Sequence, residues 1–126
     1  MPARSELAAA IRHGLPGEAG DRPRTHLGDG SCVWTSWSGE HAVDAEYADR
    51  PPPPRLAEAY GPDRFWERWT RVECAVKLTG STIGAWLREH GLDVPPEHAL
   101  HIETAAIDLS GRPGVVSAGR RAAARP

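Results

Sequence analysis

All five tryptophans of this 126-residue chain lie between positions 34 and 86. The only other aromatic rings, two tyrosines and one phenylalanine, fall in the same interval. Burying one such ring removes about 150 to 250 Å² of surface from water. The apolar mass that a core needs is therefore concentrated in the middle of the chain, and we expect both ends to be peripheral. The tryptophans are Trp34, Trp37, Trp66, Trp69 and Trp86.

Length and charge favour one domain without a general affinity for polyanions. A chain of this length can bury about two thirds of the surface that its unfolded form exposes. The net charge of −2 at pH 7 provides no overall attraction to nucleic acid or to an anionic membrane. Fourteen of the 15 basic residues are Arg, and Asn and Gln are absent, a bias typical of a GC-rich bacterial genome.

We expect a cytoplasmic protein without a membrane partner. No apolar run approaches the about 20 residues of a spanning helix, and no signal-peptide pattern opens the chain. Cys32 and Cys74 are far apart, without the close spacing of metal or redox pairs. We therefore interpret them as free, buried thiols.

Composition divides the chain into three segments. Residues 1–30 are rich in glycine and proline and predict an arm or linker, with a short helix capped by Ser5. Residues 31–110 contain the aromatic and alternating segments and predict a single α+β domain. Residues 111–126 contain four arginines and no acid, which predicts a disordered basic tail.

Alternating apolar residues predict four strands. A turn at Ser38-Gly39-Glu40 separates residues 32–37 from residues 42–48 and predicts a β-hairpin. In the segment 70–78 every second residue from Val72 to Leu78 is apolar, and this period of two favours a strand over a helix. Residues 99–109 predict the last strand.

Helix formers and helix stops predict the remaining elements. A helix over 55–60 ends at Gly61, and Phe65, Trp66 and Trp69 share one face of a following helical segment. Ser81 is the expected N-cap of a helix that ends at Gly91. The sequence thus predicts a small α+β fold, in which a hairpin and two further strands form one mostly antiparallel sheet covered by two helices.

The tryptophans also predict a binding surface. Trp34 and Trp37 are three positions apart on a predicted strand, so they point to opposite faces and one of them lies outside the main core. Exposed indoles are common centres of protein interfaces. We therefore predict a non-catalytic, protein-binding or regulatory domain whose surface includes Trp34, Trp37, Trp66 and Arg68, with a protein partner or a second copy of the chain.

A first alternative is DNA binding. Residues 78–88, Leu-Thr-Gly-Ser-Thr-Ile-Gly-Ala-Trp-Leu-Arg, resemble the turn and recognition helix of bacterial helix-turn-helix regulators. The resemblance extends over the segment 72–91 and implies that Ser81, Thr82 and Arg88 contact nucleic acid.

A second alternative is a small enzyme, so whether the protein is a catalyst stays open. His101 and Glu103 point the same way on the last predicted strand, where they could exchange a proton with a small molecule. His98 and Glu97 lie close by in sequence, but no fourth ligand has a recognisable metal-binding spacing. We therefore predict no metal centre and no cofactor.

Overall fold

The computed structural model describes residues 6–122 and has the predicted α+β class, with antiparallel strands. The predicted cap Ser5 and residues 123–126 lie outside the described residues. The helices are α1 (Glu6–Ala10), α2 (Pro54–Tyr60), α3 (Phe65–Thr79) and α4 (Ile83–His90), with short 3-10 turns at Pro16–Ala19 and Pro96–His98. The strands are β1 (Ile11–Gly14), β2 (Arg24–His26), β3 (Cys32–Thr35), β4 (Ala42–Tyr47), β5 (Leu100–Leu109) and β6 (Arg112–Arg121).

The strands form two sheets, and α3 makes a third layer. Sheet 1 has the order β1-β3-β2, and sheet 2 has the order β4-β6-β5. Alternate residues of β6 serve the two faces of sheet 2: Val116 and Ala118 belong to the core shared with sheet 1, whereas the Ser117 hydroxyl lies 2.8 Å from that of Thr70 on α3. Sheet 2 is therefore the middle layer, and its central strand β6 is buried on both faces.

The segment predicted as a strand over 70–78 is part of the helix α3, so that prediction was wrong. Val72 and Val76 are four residues apart and pack in the cluster with α4, whereas Cys74 and Leu78 pack against β4 and β5. On a helix these two pairs lie on nearly opposite faces. A helix buried on two faces thus has apolar residues at every second position, which imitates a strand.

The predicted hairpin around Ser38–Glu40 was also wrong, because its two strands belong to different sheets. β3 is the central strand of sheet 1 and pairs with both β1 and β2, so it has no free edge for β4. β4 pairs with β6 instead. The connection between them is shaped by the Thr35 hydroxyl, which accepts a hydrogen bond from the Trp37 N–H.

Both predicted peripheral segments contribute to the fold. Within the predicted arm of residues 1–30, β1 and β2 flank β3, and Leu7 of α1 is fully buried. Within the predicted tail of residues 111–126, Arg112–Arg121 forms the central strand of sheet 2. Ser110 and Gly111 have φ of 54° and 93°, the left-handed geometry of a two-residue hairpin turn. This turn returns the chain along β5.

The other predicted elements are confirmed with small shifts. α2 ends at Tyr60 before Gly61, and β5 begins at Leu100. α4 begins at Ile83, and its N-cap is Thr82, whose hydroxyl accepts the N–H of Ala85, rather than the predicted Ser81. None of the helices in the described part of the chain has the length and apolar character needed to span a bilayer.

Candidate functional site

The tryptophans predicted to form one binding surface lie in separate apolar clusters. Trp34 is only 7% exposed and is covered by Ala19 of the first 3-10 turn. Trp37 is half-buried on the core between the sheets, and the guanidinium of Arg120 lies 4.2 Å from its ring centroid. Trp66 packs in the cluster of α3 and α4. The structure therefore does not bring the three indoles together, and it buries Trp34.

A cavity of about 710 Å³ lies between α3, the loop that precedes it and the strand β5. We call it the α3–β5 groove. Its lining combines charged side chains of α3 with small residues of β5, and it contains one residue of the predicted surface, Arg68. The lining includes Arg64, Glu67, Arg68, Arg71, Thr104 and Ala106.

Arg68 holds one wall of the groove. Its guanidinium donates to the carbonyls of Tyr60 (2.7 Å), Gly61 (2.7 Å) and Asp63, the last from both Nε (3.0 Å) and Nη2 (2.7 Å). Four of the five N–H donors of an arginine are thereby used. Arg68 is therefore a positioning residue that fixes the loop between α2 and α3, and it keeps its positive charge at the groove.

Arg71 reaches across the groove from α3 to β5. Its Nη1 donates to the carbonyl of Ile102 (3.0 Å) and to the hydroxyl of Thr104 (3.2 Å). Its Nε and Nη2 have no partner within residues 6–122. These two atoms form the side of a guanidinium that can hold a carboxylate with two parallel hydrogen bonds.

The charges of the groove favour an anion. Arg64 is paired with Glu67 through its Nε, 2.9 Å from Oε2, and this hydrogen bond raises the pKa of Arg64. Arg68 and Arg71 contact only neutral carbonyls and a hydroxyl within the described residues. With Asp63 the lining contains three arginines and two acids, which leaves a formal charge of +1.

The groove is bordered by an open sheet edge. Among residues 6–122, β5 pairs only with β6. Ala122 donates its N–H to the carbonyl of Ala99, and the register continues without interruption from there to the turn. Because hydrogen-bonded pairs alternate in an antiparallel ladder, odd-numbered residues of β5 bond to β6. Even-numbered residues, Thr104 and Ala106 among them, turn their N–H and C=O groups toward the open edge.

Trp66 lies next to the groove. A hollow of about 190 Å³ beside its ring shares Arg64 and Glu67 with the groove lining. The indole N–H donates to the carbonyl of Arg50 at 2.9 Å, and the Arg50 guanidinium lies 4.7 Å from the ring centroid. Of the predicted surface, Trp66 and Arg68 therefore belong to one continuous region, whereas Trp34 and Trp37 lie elsewhere.

The predicted acid-base pair lies on the surface. Nε2 of His101 is 3.8 Å from Oε2 of Glu103, and the His101 side chain is 64% exposed. As odd-numbered residues of β5 they face away from Thr104 and Ala106, and neither lines the groove. His98 pairs with His90 instead of His101.

The helix-turn-helix arrangement exists as secondary structure. α3 ends at Thr79 and is capped by Gly80, which has φ of 70°, and α4 follows. Of the residues predicted to contact DNA, Thr82 uses its hydroxyl as the N-cap and Ser81 bonds to the neighbouring carbonyl. Arg88 is exposed, and the adjacent Glu89 cancels its charge.

The carboxyl group of Asp44, a residue of β4, is buried next to Lys77 of α3. Oδ1 of Asp44 accepts the hydroxyl of Thr25 (3.2 Å) and lies 3.6 Å from Nζ of Lys77, while Oδ2 is buried without a partner in the described chain. Burial raises the pKa of Asp44 to about 7, with a further contribution from Glu73 and in spite of Lys77. Asp44 joins sheet 1 to sheet 2, because Thr25 belongs to β2.

Arg71, Thr104 and Ala106 were missing from the predicted site. The available signal was the spacing of Arg64, Arg68 and Arg71, which are four and three residues apart and share one face of a helix. In the sequence the nearby acids Asp63, Glu67 and Glu73 largely offset the charge of this arginine patch, so only Arg68 was included in the predicted surface.

Comparisons provide no relative from which a function could be transferred. The chain matches no model of a known protein family, no curated protein and no solved structure. Within residues 6–122, no group of three or more His, Cys, Asp or Glu side chains is arranged to hold a metal ion.

Proposed function

We propose that this protein is a non-catalytic, protein-binding domain that takes up an extended, acidic segment of its partner in the α3–β5 groove. The segment lies along β5 as an additional strand, and one of its carboxylates is held by Arg71. One observation carries the proposal. Among residues 6–122, guanidinium donors of Arg71 that have no partner lie next to an edge of β5 that has no neighbouring strand.

The open edge supports strand addition. A row of unpaired N–H and C=O groups is a template for another strand, and domains that bind extended peptides commonly use such an edge beside a helix. At Thr104 and Ala106 the edge borders the groove, where the small side chains leave room for the backbone of a ligand. Ala106 is exposed.

The charge of the groove supports an acidic ligand. Arg68 holds the loop and contributes charge, whereas Arg71 has two donor atoms without a partner among the described residues, in the fork geometry that suits a carboxylate. A charge-assisted hydrogen bond of this kind contributes about 1.5 to 3 kcal/mol, which corresponds to about tenfold or more in affinity.

The free, buried thiols Cys32 and Cys74 fit a reducing compartment such as the cytoplasm.

The experiment is a selection from a phage-displayed library of random linear peptides on the full chain. We expect enrichment of peptides that combine an apolar, extended stretch with Asp or Glu. Selected peptides are then titrated by fluorescence polarisation. Arg71→Lys removes the two parallel donors of the guanidinium. Ala106→Pro removes a backbone N–H at the open edge that does not bond to β6. Each variant is expected to weaken peptide binding at least tenfold.

Two variants serve as matched controls. Arg88→Lys alters an arginine on α4 outside the groove, and Ala106→Ser keeps the edge N–H, so both should bind like the wild type. Enrichment of peptides without acids, or equal affinity for Arg71→Lys, Ala106→Pro and the wild type, would overturn the proposal. So would a chain that selects no peptide but forms a stable dimer through β5.

DNA binding is a second candidate, supported by the α3–Gly80–α4 arrangement. The charge on α4 argues against it, because contacts to phosphates dominate nucleic-acid affinity and Arg88 is offset by Glu89. A mobility-shift experiment with duplex DNA fragments tests this candidate. A complex that Arg88→Gln abolishes and Arg71→Lys preserves would favour DNA binding over the groove.

A further inference from the structure

Two imidazole rings meet at the C-terminal end of α4. Nε2 of His90 lies 3.1 Å from Nε2 of His98, and the ring planes are nearly perpendicular, at 86°. His90 is the last residue of α4, and its side chain is only 13% exposed. His98 ends the short 3-10 turn Pro96–His98 that approaches it. The contact between His90 and His98 was not predicted from the sequence, where His101 was paired with Glu103.

Trp86 holds both rings in place. Its own ring lies 4.7 Å from the His90 ring and 4.8 Å from the His98 ring, measured between centroids. Trp86 is 2% exposed, and its indole N–H donates to the carbonyl of Asp93 at 2.8 Å. The two imidazoles are therefore fixed by packing before any ligand arrives.

The geometry fits two ligands of one metal ion. Nitrogens about 2.05 Å from a shared Zn²⁺ and 3.1 Å apart subtend about 100° at the ion, near the tetrahedral value of about 109°. An imidazole nitrogen lies about 1.15 Å from the centroid of its ring. If both centroids lay on the line through the two nitrogens, as in a straight N–H···N hydrogen bond of 3.1 Å, they would be about 5.4 Å apart. The actual centroid separation is 4.8 Å. The rings of His90 and His98 therefore do not meet head-on, which is also a requirement for two ligands of one ion.

The surrounding charge favours a cation. The C-terminal end of a helix carries a partial negative charge. Residues 88–98 contain three acids and one base, and Oε1 of Glu89 lies 3.7 Å from Nε2 of His90. Imidazole with oxygen ligands suits first-row transition metals, zinc among them.

We propose that His90 and His98 form a binding site for a divalent first-row transition metal ion, with Zn²⁺ as the ion to test. In the part of the chain that the structure describes, no third side chain lies at ligand distance, so water completes the coordination, with the exposed Glu89 carboxylate as a neighbouring anion. The site is independent of the α3–β5 groove. A bound ion would tie the end of α4 to the segment that leads into β5.

The test is isothermal titration calorimetry of the chelator-treated full chain with Zn²⁺. We expect one Zn²⁺ per chain, with affinity lowered at least tenfold in His90→Gln and in His98→Gln. His101→Gln is the matched control, an exposed histidine outside the site, and should bind like the wild type. Emission from Trp86 provides a second readout, because Zn²⁺ binding should change wild-type fluorescence and leave that of His98→Gln unaltered.

Glu89→Lys keeps the test decisive if a histidine variant fails to fold. Glu89 is exposed, so its replacement leaves the fold intact, and a cation beside His90 should weaken Zn²⁺ binding several-fold. A wild type that takes up no Zn²⁺ would overturn the proposal. So would affinities that are equal in the wild type, His98→Gln and Glu89→Lys.

Discussion

Asp44→Asn should remove a large part of the pH dependence of stability. Burial, with Glu73 and Glu46 nearby, raises the pKa of Asp44 from 3.8 to about 7 in the folded chain. The folded protein therefore binds this proton more tightly than the unfolded chain does. The contribution to stability is fully present below about pH 4 and is lost as the pH rises through about 7.

The magnitude follows from the difference between the two pKa values. At about 1.4 kcal/mol per pKa unit, a pKa raised from 3.8 to about 7 corresponds to about 4 kcal/mol. Between pH 4 and pH 8, the free energy of unfolding of the wild type should fall by about that amount relative to Asp44→Asn. The carboxyl groups of Glu46 and Glu73, whose pKa values burial also raises, are present in both proteins.

The assay is urea unfolding followed by tryptophan fluorescence at several pH values. Asp93→Asn is the control, since it removes an exposed carboxylate instead of a buried one. A constant difference between the wild type and Asp44→Asn across the range would refute the reasoning. A wild type that gains on the variant as the pH rises would show that the attraction to Lys77 outweighs burial.

Three further predictions concern the buried N-terminal segment, the loop before α3 and the turn between β5 and β6. Leu7→Ala should lower the free energy of unfolding by about 2 to 5 kcal/mol in urea titrations, because Leu7 is fully buried. Leu15 is 67% exposed, so Leu15→Ala should change the free energy of unfolding little. Equal effects of the two substitutions would contradict a folded N-terminal segment. Arg68→Ala should lower the melting temperature, because it removes four hydrogen bonds. Arg68→Lys should recover little of the lost melting temperature, since an ammonium group lacks the planar, forked donors of a guanidinium. A Lys variant as stable as the wild type would contradict this role of the guanidinium. Gly111→Ala should cost about 1 to 3 kcal/mol because φ is 93°; an unchanged unfolding midpoint would argue against the left-handed turn.

The sequence was informative where one face of an element is buried. The helix α4 has Ile83, Trp86 and Leu87 on a single face and a glycine stop. The first four residues of β5, 100–103, alternate between apolar and polar side chains, so both elements were predictable. It misled where an element is buried on two faces, as α3 is. Its central residues satisfy the period of a strand although they form a helix.

Composition also misled at the ends. Arg112, Arg120 and Arg121 give β6 the character of a basic tail, yet they lie at its termini, and residues 114–119 between them are buried. Short strands among glycines, such as β2, have too few residues to show a period. The candidate site required α3, β5 and the loop before α3 to be placed together. Of the residues that line it, the surface predicted from the sequence included Arg68 alone.

Hydrogen exchange of individual backbone amides, followed by NMR, tests the central claim most directly. In the free protein the amides of Glu103 and Ala105 should exchange slowly, because they bond to β6, while those of Thr104 and Ala106 exchange quickly at the open edge. Saturation with a selected acidic peptide should slow Thr104 and Ala106 at least tenfold. Unchanged exchange at these two residues, with protection appearing elsewhere, would contradict peptide binding in the α3–β5 groove.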